Sequence, residues 1–176
     1  MGSAACTAAW RSTGDVSADL GAIAAHPVVT VCAGAKAFLD LPRTLERLET
    51  LGVPVLGWRC DEFPMFWART SGLPVPHRVD TESQVAGVVR ALRELRLTRG
   101  VLVAVPVPAA SAIERAEIEA VISAVGDEPG AGPDVTPRVL AAVARATGGR
   151  TVAANLALAE HNARVAADIA RELARG

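Results

Sequence analysis

The sequence predicts an α/β fold of three layers, in which helices cover both faces of a small, mainly parallel β-sheet. Three short segments are solidly apolar and rich in β-branched residues, as strands buried on both faces are. Helical patterns separate them, an order that demands parallel strands joined by right-handed crossovers. The 176 residues are 51% hydrophobic, with six aromatic residues and no tyrosine. This composition suits aliphatic helices packed on one sheet, and the length fits one domain.

The predicted elements follow the order β-α-β-α-β-α-α-α. The strands are predicted at Pro27–Cys32, at Val53–Trp58 and in the run that opens at Gly100. Leucine spacing and capping residues place helices at about Pro42–Leu51, from the cap Thr81 to about Leu97, over Ser111–Val125, from the Thr136–Pro137 pair to Gly148, and over Thr151–Leu173. Residues 60–78 are predicted to be a long loop rich in proline, glycine and aromatic residues.

Domain boundaries follow from the same patterns. Residues 1–13 lack any periodicity and are expected to be irregular and foreign to the fold, whereas residues 14–176 form one domain. Residues 126–134 are rich in glycine and proline and are expected to be a flexible link. Three strands are fewer than the usual four to six, which suggests that the sequence is part of a larger fold.

Composition excludes several classes of function. A net charge of −1 gives no electrostatic footprint for nucleic acid or for an acidic membrane surface. No apolar run reaches about 18 residues, and the N-terminus lacks the basic start of a signal peptide. The three cysteines, Cys6, Cys32 and Cys60, are too widely spaced for a disulfide framework or a zinc cluster. We therefore expect a cytoplasmic protein.

Lys36 is the only lysine beside 17 arginines. It follows the first predicted strand, and the carboxyl ends of parallel strands are where α/β enzymes place their chemistry. Burial and neighbouring charge could lower its pKa and make it a Schiff-base nucleophile. A GC-rich genome that encodes most basic residues as arginine would also leave one surface lysine by chance.

Asp15, Ser17 and Asp19 lie within five residues, just before the first strand. Carboxylates four residues apart share one face of a helix, so they could hold a divalent cation and an anionic ligand. The same residues also suit the capped start of a short helix.

Other segments carry weaker signals. The glycine of CAGAK, Gly34, allows close backbone approach, but the segment matches no nucleotide-binding motif. Asp61 and Glu62, beside the aromatic residues of the long loop, could line a pocket or simply flank core aromatics. Asn155 is an unfavourable residue inside an alanine-rich helix, which a polar contact or plain exposure would explain. The three histidines are scattered, as surface or hydrogen-bonded histidines are.

Taken together, these segments resemble the pseudouridine-5′-phosphate glycosidase family. The matching stretches are DVSADL, VVTVCAGAK with LDLPRTLERLETLGVPVLGW, DEFPMFWARTSGLPVPHRVD, GVLVAVPVP, VTPRVLAAVARATGGRTVAANLAL and NARVAADIA. They cover roughly residues 14–172 in order. The resemblance is to the C-terminal half of the family's chain, which implies an incomplete version of that family's fold.

The resemblance implies cleavage of the C–C glycosidic bond of pseudouridine 5′-phosphate to uracil and ribose 5-phosphate, and the reverse addition. It implies that Lys36 attacks C1′ of the ring-opened sugar and that the Schiff base acts as an electron sink. Asp15 is then the ligand of Mn²⁺, partly through water. Ser17, Ala18 and Asp19 contact the substrate, as does Asn155. Family members assemble as trimers, which implies a homo-oligomer once the other half is supplied.

The sequence also departs from the family pattern. The family's N-terminal half supplies a glutamate proton donor and a second lysine, and this sequence contains neither that half nor a second lysine. CTAAWRSTG replaces a Gly-rich, His-containing stretch before DVSADL. Val105 and His161 each stand where the family has asparagine, the latter next to Asn162.

Three hypotheses follow for function. The chain is a glycosidase-derived enzyme that needs the other half for turnover, a non-catalytic sugar-phosphate-binding or assembly module, or the product of a decayed gene. Under the first, it is a gene fragment, the result of a wrong start site, or one subunit of a split enzyme. Loss of the general acid alone would cost about 10²–10⁴ in rate, so we expect little activity from this chain alone.

Overall fold

The structure, a computed structural model, describes residues 6–7, 16–125 and 135–175. Its strands are β1 (Cys6–Thr7), β2 (Val29–Cys32), β3 (Leu39–Asp40), β4 (Val55–Trp58), β5 (His77–Val79) and β6 (Val101–Ala104). Its α-helices are α1 (Ala18–Ala25), α2 (Leu41–Thr50), α3 (Glu82–Glu94), α4 (Arg115–Val125), α5 (Val135–Ala146) and α6 (Arg150–Leu173). A 3₁₀ turn occupies Ala109–Ser111. None of the helices in these ranges is long and apolar enough to cross a membrane.

Four strands form one parallel sheet in the order β2-β6-β4-β5. The prediction of three strands was wrong by one, because β5 lies at the end of the segment expected to be a loop. Two of its three residues, His77 and Arg78, are exposed. A short edge strand with polar, exposed residues lacks the apolar run that identified the other three.

The predicted three-layer arrangement is confirmed by the alternation of side chains along β6. Val101 and Val103 pack on one face with α3 and α6, whereas Leu102 and Ala104 pack on the other with α1, α2, α4 and α5. Because β4 and β6 are buried on both faces, every one of their residues is buried. This accounts for their continuous apolar sequences.

A second, two-stranded sheet joins β1 to β3. Cys6 pairs with Asp40 and Thr7 with Leu39 in antiparallel register. These two residues belong to the segment 1–13 for which we expected no regular structure. The remainder of that segment lies outside the described residues.

Helix boundaries differ from the prediction where the backbone finds other partners. α3 begins at the predicted cap, with a capping box between Thr81 and Gln84, but ends at Glu94 because Arg96 adopts a positive φ of 56°. The predicted helix over Ser111–Val125 begins only at Arg115. Ahead of it, the N–H of Ile113 donates to the carbonyl of Trp67 instead of entering a helix (2.9 Å). The predicted flexible link over 126–134 lies outside the described residues.

Candidate active site

The segment that follows β2 is held against a second segment of the chain at Gly34. Gly34 has a positive φ of 77° and forms an isolated bridge with Met65. A Cβ at this position would lie 1.9 Å from the carbonyl oxygen of Pro64. Both the backbone conformation and the close approach therefore require glycine here.

A tight hairpin over 65–68 completes this contact. Met65 and Ala68 exchange two backbone hydrogen bonds, of 3.0 and 3.2 Å, and the N–H of Phe66 donates to the carbonyl of Ala33 (3.1 Å). Phe66 has a positive φ of 59°, an uncommon conformation for a bulky residue that surrounding contacts must hold in place. The hairpin thus fixes the backbone two residues before Lys36.

Lys36 is buried, with 7% of its surface exposed. Burial lowers the pKa of its amine below the ordinary value of 10.5, while the nearby carboxylate of Asp19 acts in the opposite direction. Within the described residues, Lys36 is in no salt bridge. The interpretation of Lys36 as a chance surface residue is therefore wrong. The geometry leaves a shielded amine just beyond the carboxyl end of β2, and burial gives it a larger neutral fraction than a surface lysine has.

Asp19 and Ser17 lie at the start of α1. The Ser17 hydroxyl accepts a hydrogen bond from the N–H of Asp19 (3.2 Å) and caps the helix. The interpretation of this motif as a helix start is therefore correct. The same geometry also brings Asp19 close to Lys36, so the two interpretations are compatible. Ala18 is exposed in the first turn.

Asp15, the predicted metal ligand, lies outside the described residues. In the ranges the structure describes, no group of three His, Cys, Asp or Glu side chains could hold a metal ion.

Asn155 is tied to the long loop by a side-chain hydrogen bond. The indole Nε1–H of Trp67, a fully buried residue, donates to Asn155 Oδ1 (2.8 Å). Because the oxygen is engaged by Trp67, the amide is oriented and its Nδ2 donors are left for another partner. Simple exposure therefore does not explain this asparagine.

The inner face of α6 lies over the carboxyl ends of β2 and β6. Leu158, one turn after Asn155, packs with Ala33 and Val107, which lie one residue beyond the end of β2 and three residues beyond the end of β6. Asn155 and Lys36 thus both lie at the end of the sheet where the strands have their carboxyl ends. Further along this helix, burial and neighbouring arginines lower the pKa of His161, and Asn162 Oδ1 is buried without a partner among the described residues.

Val105, which the resemblance places where the family has asparagine, is fully buried in the cluster under α3 and α6. Its N–H donates to the carbonyl of Cys32 (2.7 Å), so it extends the pairing of β2 with β6. The substitution therefore places an apolar side chain in the core.

The acidic residues of the long loop bind other parts of the same segment and of β5. Asp61 forms a salt bridge with Arg78 (2.8 Å), and Glu62 accepts a hydrogen bond from the N–H of Gly72 (2.7 Å). Phe63 is fully buried in the core. Burial raises the pKa of both Cys32 and Cys60 to about 11, which disfavours the thiolate form of these two thiols.

Sequence reasoning missed two features of this site. Nothing in a single sequence pairs Trp67 with Asn155, which are 88 residues apart. The contact of Gly34 with Pro64 could be predicted only in part. The sequence indicated that the backbone of another segment could approach Gly34 closely, but it did not identify Pro64 in the aromatic loop as that segment.

Comparison with known proteins places these features in context. The sequence model of the family described as Indigoidine synthase A like protein matches residues 5–172, beginning inside the segment expected to be foreign. The chain is 52% identical to a pseudouridine-5′-phosphate glycosidase of Methylobacterium nodulans over 164 residues, which are 91% of this chain and 49% of the relative. It is 47% identical to that of Solibacter usitatus over 167 residues, covering 93% and 56%.

Two solved structures share the fold. The prealnumycin C-glycosynthase AlnA, solved in complex with ribulose 5-phosphate, has a TM-score of 0.87 at 32% identity, covering 96% of this chain and 57% of AlnA. An indigoidine synthase A-like protein from Thermotoga maritima has a TM-score of 0.82 at 39% identity, covering 89% and 53%. The chain spans about half the length of the curated relatives it matches.

Proposed function

The chain belongs to the Indigoidine synthase A-like protein family, and on that premise we propose that it supplies the Schiff-base lysine of a pseudouridine-5′-phosphate glycosidase. The reaction joins or separates uracil and ribose 5-phosphate at a C–C glycosidic bond. One observation carries the proposal. Lys36, the only lysine of the sequence, is buried just after β2 and near Asp19, and burial lowers the pKa of its amine. Since the chain spans about half of each relative, turnover is proposed only together with the remainder of the family domain.

In the cleavage direction, the C1′–O4′ bond breaks first: its electron pair goes to O4′, which takes up a proton, and the uracil ring loses its N1 proton as a C1′=C5 double bond forms. The neutral amine of Lys36 then adds to C1′, the C1′=C5 electron pair returns to the ring, where N1 regains a proton, and the nitrogen of Lys36 loses one. Its lone pair then forms the C1′=N bond as the bond from C1′ to uracil C5 breaks. The electron pair passes to uracil C5, which takes up a proton. By resemblance, that proton comes from the glutamate of the family's other half. Water hydrolyses the imine, which releases ribose 5-phosphate and restores the amine.

The other site residues take roles that their contacts support. The structure of AlnA with ribulose 5-phosphate supports a sugar phosphate as the ligand class. At the start of α1, the N–H groups of Asp19 and Leu20 already donate to Ser17, so the N–H of Ala18 is the one that would donate to an anionic oxygen. Asp19 stabilises the protonated form of Lys36. Asn155, whose oxygen is engaged by Trp67, would donate its Nδ2 hydrogens to a substrate oxygen.

Manganese enters the proposal through the resemblance alone. Asp15 would hold the ion, partly through bound water, four residues before Asp19 along the chain. A divalent cation there would supply electrostatic stabilisation of anionic oxygens. Trimeric assembly is likewise implied only by the resemblance and stays a prediction.

The proposal is tested by trapping the imine. The chain is incubated with ribose 5-phosphate and borohydride, and the modified residue is located by mass spectrometry. We expect one adduct, on Lys36, which the Lys36→Met variant lacks. Binding of ribose 5-phosphate without an adduct would favour a non-catalytic sugar-phosphate module, and absence of both binding and adduct would contradict the proposal.

A further inference from the structure

Strand β2 has an open edge. It pairs with β6 from Val29 to Cys32 and is the first strand in the sheet order. No strand of the described residues pairs with its other side. All four residues of β2 are only half-buried, whereas every residue of β4 and β6 is buried.

The opposite edge of the sheet shows how this chain protects an edge. β5 has only three residues and follows Pro74 and Pro76. Its central residue, Arg78, is exposed and forms salt bridges with Asp61 and Asp80. Short length, charge and nearby proline are the usual defences against unwanted strand pairing.

β2 has four residues and follows Pro27, but it lacks the charged side chains that protect β5. Its sequence, VTVC, contains no charge and no proline, and Val28, just before it, is 47% exposed. Apolar β-branched sequence of this kind is typical of a strand in the interior of a parallel sheet. The sequence of β2 therefore suits a strand that is paired on both sides.

The backbone directions identify which groups are open. The carbonyls of Val28 and Cys32 accept from the N–H groups of Val101 and Val105 on the β6 side, at 2.9 and 2.7 Å. Backbone groups of successive residues point to opposite sides of a strand. The N–H and C=O groups of Val29 and Val31 therefore point to the open edge, and those of Thr30 point to β6.

We propose that the open edge of β2 pairs with an apolar strand from the part of the family domain that this sequence does not contain. The curated relatives are about twice as long as their match to this chain, so the family domain has further chain to place. This inference rests on family membership and not on the proposed reaction.

The position of this edge gives the pairing a consequence for the site. Lys36 lies four residues beyond the end of β2, and neighbouring strands lie about 4.8 Å apart. One end of the added strand would therefore lie next to the segment that carries Lys36. Pairing would bring side chains of the partner to the amine.

The test is hydrogen exchange resolved by residue. In the chain alone, we expect the amides of Val29 and Val31 to exchange freely, and those of Thr30 and Cys32 about a thousand-fold or more slowly. The chain is then co-expressed with the part of the Methylobacterium nodulans relative that it does not match, and purified through a tag on the chain. We expect a 1:1 complex in which Val29 and Val31 become protected.

Two variants provide a matched control. Val31→Pro removes the backbone N–H that points to the open edge. Val31→Ala shortens the side chain at the same position but keeps this N–H. We expect co-purification to be lost only with the proline. Should Val31→Pro fail to fold, the exchange measurements decide without it.

Three results would overturn the proposal. Protection of Val29 and Val31 in the dilute chain alone would mean that the edge is already covered. Protection that depends on chain concentration would identify a second copy as the occupant. Failure of the two polypeptides to co-purify, or a complex in which these two amides stay exposed, would mean that the rest of the family domain does not bind here.

Discussion

Trp67 and Asn155 are joined by a hydrogen bond from the indole Nε1–H to the amide Oδ1, 2.8 Å long and 88 residues apart in sequence. One partner belongs to the hairpin that contacts Gly34, and the other to the helix that covers the ends of β2 and β6. The bond therefore connects two parts of the chain that meet near the carboxyl ends of β2 and β6, where the segment carrying Lys36 begins. It also decides which atoms of the asparagine remain available to a ligand.

This hydrogen bond should contribute to stability. We expect Trp67→Phe to lower the free energy of unfolding by about 1–3 kcal/mol, through the lost bond and the smaller ring. Combined with Asn155→Ala in a double-mutant cycle, it should reveal a coupling of about 1 kcal/mol by urea denaturation. Trp58→Phe is the control, because the Trp58 indole N–H has no partner among the described residues. If Trp58→Phe showed the same coupling to Asn155→Ala as Trp67→Phe does, the hydrogen bond between Trp67 and Asn155 would not account for the coupling.

The orientation of the Asn155 amide predicts how substitutions affect ligand binding. Asn155→Asp keeps an oxygen acceptor for Trp67 but removes the Nδ2 donors, so we expect near-native stability and weaker binding of ribose 5-phosphate. Loss of one hydrogen bond to a ligand oxygen corresponds to about 1 kcal/mol or more, about fivefold or more in Kd by isothermal titration calorimetry. Undiminished affinity would mean that Asn155 does not contact the ligand.

Gly34 should tolerate no side chain. Gly34→Ala would strain a left-handed backbone and place a methyl group against Pro64, and we expect a loss of about 2–5 kcal/mol in unfolding free energy. The matched control is Gly21→Ala in α1, where a Cβ would meet nothing within 4 Å. That change should stabilise the protein by up to about 1 kcal/mol. Similar effects of both changes would show that the contact with Pro64 is not constraining.

The pKa of Lys36 can be followed directly because it is the only lysine. Reductive ¹³C-methylation labels its amine, and the methyl shift should titrate below pH 10.5. Asp19→Asn removes the influence that raises this pKa, so titration should move to still lower pH, and the pH at which imine trapping levels off should fall with it. Titration of both variants at the ordinary value would contradict burial of the amine.

The same shift has a consequence for stability. Because the folded pKa is below the unfolded value of 10.5, the unfolded chain binds the proton more tightly between the two values. The free energy of unfolding should therefore rise as pH increases through this window. Lys36→Met should remove that rise, which chemical denaturation at several pH values would detect.

Metal dependence is predicted from the resemblance at Asp15. If Asp15 holds Mn²⁺, the fraction of Mn²⁺ bound to the chain, measured by electron paramagnetic resonance, should be lower for Asp15→Asn. Glu94→Gln is the control and should bind Mn²⁺ normally, because Glu94 is exposed in the last turn of α3. Chelation should then slow imine trapping in the native chain and leave Asp15→Asn unaffected. Equal manganese binding by both variants would place the ion elsewhere or nowhere on this chain.

The sequence was informative where local chemistry decides structure. The apolar runs of β2, β4 and β6 and the cap at Thr81 could be recognised, because apolar β-branched runs and capping residues are local patterns. The hidden strand β5 could not, since two of its three residues are exposed and its pairing with β4 is a property of the sheet. The start of α4 was misplaced because Ile113 bonds to Trp67, a partner 46 positions away that no local pattern names.

The site shows the same division. Residue type and position offered Lys36 and Asp19 as candidates, and the family resemblance singled them out. In the structure the carboxylate of Asp19 acts to raise the pKa of Lys36. The engagement of Asn155 by Trp67 and of Gly34 by Pro64 depends on tertiary contacts. No propensity or motif encodes such contacts in one sequence.

The fit of Gly34 against Pro64 also limits how members of this family can exchange segments. The two residues are in contact through backbone atoms. The backbone conformation of each segment therefore has to match that of the other. Chimaeras joined between positions 36 and 62 would take the strand end from one parent and the hairpin from another. Junctions that keep both segments from a single parent should yield functional recombinants more often.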